Sequence, residues 1–155
     1  MAYRRDGKRV FGAHRGFLRA WESVLPFVDP ALDESDIKRI VSVGYSHGAA
    51  LALFCHEYAW YKREDLRASI EGYGFGAPRT VWGHLPRNLY KRWEGFTVIR
   101  NIDDLVTHLP PAAFGFRQVG RLLLIGEKNK YSAIDAHRAE NIMAELVRLE
   151  NKRSE

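Results

Sequence analysis

The chain has a single cysteine, Cys55, in 155 residues. No internal disulfide can therefore form, and a site built on several thiolates is excluded. No apolar run approaches the ~20 residues that a membrane-crossing helix needs, and there is neither an internal repeat nor a low-complexity tract. The opening residues, MAYRRDGKR, are charged with no apolar stretch behind them, so no secretory signal is read there. With the lone cysteine, this makes a cytoplasmic location the expectation. The net charge of +5 comes as short clusters, RRDGKR, YKRED, YKRWEG and NKRSE, most of them diluted by acids. A surface that tracks phosphates would carry a longer unbroken stripe, so nucleic acid is not an expected partner.

What is present suffices for one domain over residues 1–155: 46% of the residues are hydrophobic, enough for a real core. Phe17, Leu18, Trp21 and Leu25 share one face at helical spacing, which predicts a helix over Arg15 to Leu25. Pro26 and Pro30 then mark a loop or a broken turn. Residues 37–44 read as a strand, and HGAALALFCHEYAWYKRE has no breaker and reads as a helix of four to five turns. Three further strands are predicted in SIEGYGFGAP, in Phe96 to Ile102 and in RQVGRLLLIG, followed by an amphipathic helix over Ala136 to Leu149. Thr80 to Glu94 reads as an irregular connection with room for a helical turn. This alternation predicts an α/β sandwich around a largely parallel sheet.

The chemistry is concentrated in IVSVGYSHGAALALF, where an apolar strand runs into Gly-Tyr-Ser-His-Gly and small residues follow. A sharp strand-to-helix turn that lifts a serine above a sheet needs glycines two before and two after it, because Cβ atoms there would collide with the neighbouring strand and helix. Gly44 and Gly48 fit that need around Ser46, and Ala49 and Ala50 allow the helix to pack close. The new helix aims its N-terminal dipole at any oxyanion formed on the serine, and the backbone N–H of His47 is the expected donor. A serine nucleophile requires a base, and in this order of elements the histidine comes last. Of the six histidines, His137 follows the last strand and opens the last helix, just after Asp135, a plausible N-cap. The acid belongs at the end of a strand between the two, where VIRNIDDLVTHLPP supplies Asp103 and Asp104; either can orient His137. Phe114, Phe116 and Trp82 are candidates to line an acyl pocket or to serve as packing. Cys55 reads as a small buried hydrophobe.

The segments AHRGFLRAW, IVSVGYSHGAALALF, YGFGAPR, VIRNIDDLVTHLPP and IDAHRAENIMAEL resemble, in order, the signature blocks of the class 3 lipases, a family of α/β-hydrolases. The resemblance implies a three-layer α/β-hydrolase-like sandwich and a triad of Ser46, Asp104 and His137. Asp104 is selected because it directly precedes the aliphatic pair Leu105 and Val106. His14 matches a family histidine that gives structural support. Neither a metal nor an organic cofactor is implied. The substrate class implied is a carboxylic ester, of an acylglycerol or another lipid. Members of this family generally carry a long N-terminal portion, with further strands, a loop donating a second oxyanion N–H, and a lid. YRRDGKRVFGA reads as containing no such strand and loop. The expectation is thus an abridged fold with one sheet edge left for a second copy or a partner chain. A domain derived from a hydrolase that binds without useful turnover is the alternative function.

Overall fold

The computed structural model describes residues 1–154. Its centre is a parallel sheet of four strands, β3 (Ile40–Tyr45), β4 (Ile70–Phe75), β6 (Phe96–Asn101) and β8 (Arg121–Ile125), in that spatial order. Register is continuous: Ile40 faces Ile70, Tyr45 faces Phe75, Phe75 faces Ile99, and Asn101 faces Ile125. Helix α2 (His47–Lys62) connects β3 to β4 and packs on both strands. It is apolar around most of its circumference, which suits a helix caught between a sheet and a second helix rather than a surface helix. Ala49, Ala50, Phe54 and Ala59 are fully buried. Helix α1 (Arg15–Ala31) lies outside α2 and buries Leu18 and Trp21. Helix α4 (Ala139–Ser154) covers part of the opposite face, with Ile142 packed on Ile99 and Ile125. The expected sandwich of helix, sheet and helix is therefore present.

Residues 2–13, which include the YRRDGKRVFGA segment expected to hold none of the family's N-terminal strand and loop, form a hairpin of β1 (Ala2–Arg5) and β2 (Lys8–Ala13). The turn is Asp6-Gly7, both at positive φ (48° and 73°), which matches the right-handed twist of a two-residue hairpin. The hairpin does not join the parallel sheet. It pairs with β5 (Val81–Trp82), which in turn pairs with β7 (Phe116–Arg117), in a separate antiparallel sheet. The connection from Thr80 to Glu94 thus contains β5 and a helical turn, α3 (Arg87–Tyr90). Tyr3 and Phe11 stack at 4.6 Å between ring centres, and both face Phe54 of α2. Glu57 of α2, fully buried, bonds Arg92 at 2.6 Å and Arg5 at 3.2 Å, tying both flanking segments to the helix.

Helix α1 also differs from expectation. It continues through Pro26 and Pro30 to Ala31 instead of ending at Leu25. Each proline removes a backbone donor, but both are exposed, so water can satisfy the carbonyls left over. The second half is held by Tyr58 and Lys62 of α2, which both donate to Asp29 Oδ1 at 2.5 Å.

Candidate active site

Strand β3 ends at Tyr45, and Ser46 takes φ 53° and ψ −120° before α2 begins at His47. A side chain rarely tolerates this conformation, and the turn is held by the Ser46 N–H donating to Phe75 O at 2.9 Å. The two flanking glycines differ in role. A Cβ on Gly44 would lie 2.1 Å from Gly48 O, so the strand can meet the helix start only without a side chain. A Cβ on Gly48 would meet nothing within 4 Å, so Gly48 is not required by that clash. Ala49 and Ala50 are fully buried beneath the turn.

Asp104 lies just beyond β6, and its carboxylate is fully buried. Its Oδ1 accepts the Val106 N–H at 2.9 Å, while Oδ2 lies 2.8 Å from His137 Nδ1. His137 Nε2 is 2.8 Å from Ser46 Oγ. A carboxylate only accepts, so Nδ1 carries the ring proton and Nε2 is left to accept from the serine hydroxyl. Ser46, His137 and Asp104, separated by up to 91 positions in the chain, thus form one continuous hydrogen-bonded line. Asp103 stays outside it, with its buried Oδ2 lacking a partner among the described residues. His47 is the first residue of α2, where backbone N–H groups have no intrahelical acceptor.

His137 is not in the last helix, as the sequence suggested. It closes a short 3₁₀ turn, Asp135–His137, and α4 starts two residues later. Asp135 does not cap α4 either. Its carboxylate accepts from Ser132 and pairs with Arg138, stabilising the turn that carries the imidazole.

Two neighbours of the imidazole gave no readable signal for this role. Gly76, at φ 58°, comes so close that a Cβ there would stand 2.8 Å from His137 Cε1. In sequence it is one of three glycines in SIEGYGFGAP, and nothing there sets it apart from Gly72 and Gly74. Tyr45 packs its ring on that of His137, and nothing in a linear sequence links positions 92 apart. The other histidines stand elsewhere. His56 is buried on α2, and burial pushes its pKa down. His108 contacts Arg79, and burial, then Arg100 and Arg79, push its pKa down. His14 precedes α1 and lies 4.5 Å from the Phe17 ring, which is itself 5.4 Å from His47. Phe116 lies 5.7 Å from His14 on the other side. This aromatic run leads from the start of α2 to a cavity of about 310 Å³ lined by Met1, Ala13, His14, Arg15, Trp82 and Phe116. Phe114 is 69% exposed and accepts the Trp82 indole N–H at its carbonyl, 2.8 Å away.

A serine lifted on a strained turn between a parallel strand and a helix, at the carboxyl end of the sheet, is the architecture of the α/β-hydrolases. Known structures agree. A triacylglycerol lipase whose catalytic centre is formed by a serine protease triad superposes with a TM-score of 0.70 at 26% identity, over 82% of this chain and 50% of that one. The Rhizomucor miehei triacylglyceride lipase superposes with a TM-score of 0.75 at 22% identity, over 92% of this chain and 64% of that one. The family profile of Lipase (class 3) matches residues 2–114, and the chain belongs to that family. It is also 32% identical over 111 residues to secreted mono- and diacylglycerol lipase 1 of Fusarium solani, covering 68% of this chain and 32% of that protein. A lipase of Rhizomucor miehei is 33% identical over 114 residues, covering 69% and 31% respectively. The chain thus spans about a third of the length of these curated relatives.

Proposed function

We propose that the chain is a serine hydrolase that cleaves carboxylic esters, with acylglycerols and related lipid esters as its substrate class. The observation that carries this reading is the unbroken line from Ser46 Oγ through His137 to the buried Asp104. Ser46 Oγ attacks the ester carbonyl carbon as its proton passes to His137 Nε2. The oxyanion is met by the His47 N–H at the positive end of α2. Collapse breaks the bond to the alcohol oxygen, which takes the proton from Nε2, leaving an acyl group on Ser46. Water, giving a proton to the same nitrogen, then attacks the acyl carbon; the bond to Ser46 Oγ breaks, Oγ takes the proton back from Nε2, and the acid leaves. Asp104 holds the ring in the tautomer that leaves Nε2 free. The lipid preference rests on the family and on its named relatives, a mono- and diacylglycerol lipase among them. The acyl chain would lie along the run from Phe17 toward Trp82 and Phe116.

The test is labelling with a fluorophosphonate probe, followed by turnover of p-nitrophenyl esters of increasing chain length. The expected result is labelling of the native chain, none of Ser46→Ala and almost none of His137→Ala. A folded native chain that resists the probe would overturn the reading in favour of a binding domain.

We also propose that the edge of β3 is covered in the working protein by a strand of a second copy or of a partner chain. In the strand order β3 stands last, unpaired on one side, with Val41 and Val43 exposed beside that edge. Light scattering of the purified chain tests self-association, and a strict monomer leaves the partner chain as the occupant.

A further inference from the structure

Tyr45 occupies the position just before the nucleophile, yet its side chain serves the other end of the triad. Its hydroxyl donates to the backbone carbonyl of His137 at 2.7 Å, and its ring lies on the imidazole with centres 5.2 Å apart and planes 25° from parallel. That spacing falls within the range of favourable offset stacking. Asp104 meets the imidazole at Nδ1 and Ser46 at Nε2, and neither contact restrains a tilt of the ring about the line between those two nitrogens. Gly76 closes in on the Nδ1–Cε1 edge. The 3₁₀ turn that carries His137 buries only the small side chain of Ala136 and is otherwise held by polar contacts, those of Ser132 and Asp135 among them. A tyrosine that grips both the ring and the main chain of the same histidine removes the remaining pivot.

We infer that Tyr45 is a positioning residue: it locks the imidazole of His137 in line between Ser46 and Asp104 and thereby sets the rate of proton transfer. The inference rests on the hydrolase reading for its kinetic consequence, but not for its geometric content. Because Tyr45 is the last residue of β3, directly joined to Ser46, the same strand end presents the nucleophile and aligns its base. A shift of one relative to the other is thus resisted by a covalent link and by a clamp. Tyr45 is 41% exposed, so its truncation opens no cavity in the core.

The experiment compares the full chain with Tyr45→Leu, which removes ring and hydroxyl, and with Tyr45→Phe, which keeps the ring. Two readouts are taken, p-nitrophenyl ester kinetics and the ¹³C-edited proton spectrum of the histidine ring, with the His137 resonance assigned from His137→Gln. In Tyr45→Leu, kcat is expected to fall about tenfold with KM little changed, while the thermal midpoint stays that of the native chain. Its His137 Cε1 proton is expected to lose the shift imposed by the neighbouring ring and to broaden. Tyr45→Phe is expected to keep the shift and lose only part of the rate; should Tyr45→Leu fail to fold, that partial loss carries the kinetic test. An unchanged His137 resonance in Tyr45→Leu, or in Tyr45→Phe an unchanged kcat together with no ring shift in the native chain, would overturn the inference. If the native chain turns over no ester and takes no probe, yet the His137 resonance moves in Tyr45→Leu, the hydrolase reading fails and the positioning role stands.

Discussion

The two faces of the parallel sheet are built differently. On one, α2 packs on β3 and β4 with Ala49, Ala50 and Phe54 fully buried, Phe54 on the side turned to the hairpin and α1. Glycines are obligatory there: a Cβ on Gly44 would strike the backbone of Gly48, and one on Gly72 would strike Phe96 at 2.2 Å. On the other face, α4 buries only Ile142 and Glu145, while Val41, Val43 and Met143 are 45%, 61% and 60% exposed. Ser46 stands on the dense face, where dozens of weak contacts over-determine its position. His137 precedes α4 on the sparse face, so a handful of polar contacts must do the same. Under the proposed mechanism, a site assembled this way is robust at its nucleophile and sensitive at its base.

That contrast is tested most severely at Asp104. Asp104→Asn preserves shape but disturbs the tautomer, and ester turnover is expected to fall about 10⁴-fold, with an unchanged thermal midpoint separating chemistry from folding. On the dense face, Phe54→Ala removes a ring packed on Tyr3, Phe11 and Trp21. Urea denaturation should register a loss of about 3–5 kcal/mol. Gly76→Ala brings a Cβ against His137 at a positive φ, and turnover should drop by about 10² from the displaced imidazole. Cys55 sharpens the contrast without mutation: it packs on α2 against the main core, and burial pushes its thiol up to about 11. The thiolate then gains population only as pH rises toward that value. At pH 8 a thiol reagent should react about 10²-fold more slowly than after unfolding in urea. The smallest effect belongs to the sparse face, where Val43→Thr should change stability by no more than about 0.5 kcal/mol. A larger loss there is what a second copy covering this edge in solution would produce, while the small effect is that of the chain without its partner.

The elbow was legible because its signals are local. Strand, turn glycine and helix follow one another within about 20 residues, and the order of the remaining elements pointed to the last histidine. The hairpin leaves little trace in the sequence although Asp6-Gly7 is itself a turn signal; its strands are short and charged, and they are completed by pairing with β5. Strands β5 and β7, two residues each, have no intrinsic signal and exist through their partners. Pro26 and Pro30 were read as breakers, but they face solvent, and α1 is stabilised by what its opposite side buries. His137 was assigned to a helix because the amphipathic pattern begins near it. The 3₁₀ turn that actually holds it depends on side chains of Ser132 and Asp135 bonding locally.

By itself the sequence determined the class of fold, the identity of the serine and the order in which its helpers follow. These depend on hydrophobic period and on backbone geometry that only glycine permits at Gly44. Taken as residues alone it left Asp103 and Asp104 equivalent, and only the resemblance to a family separated them. Tertiary structure decided what reaches the imidazole: Asp104 at Nδ1, Ser46 at Nε2, the ring of Tyr45 and the bare backbone of Gly76. The reason is physical. Hydrogen bonds and stacking act over a few ångströms, and those distances are set by how three strand ends and a 3₁₀ turn come together in three dimensions.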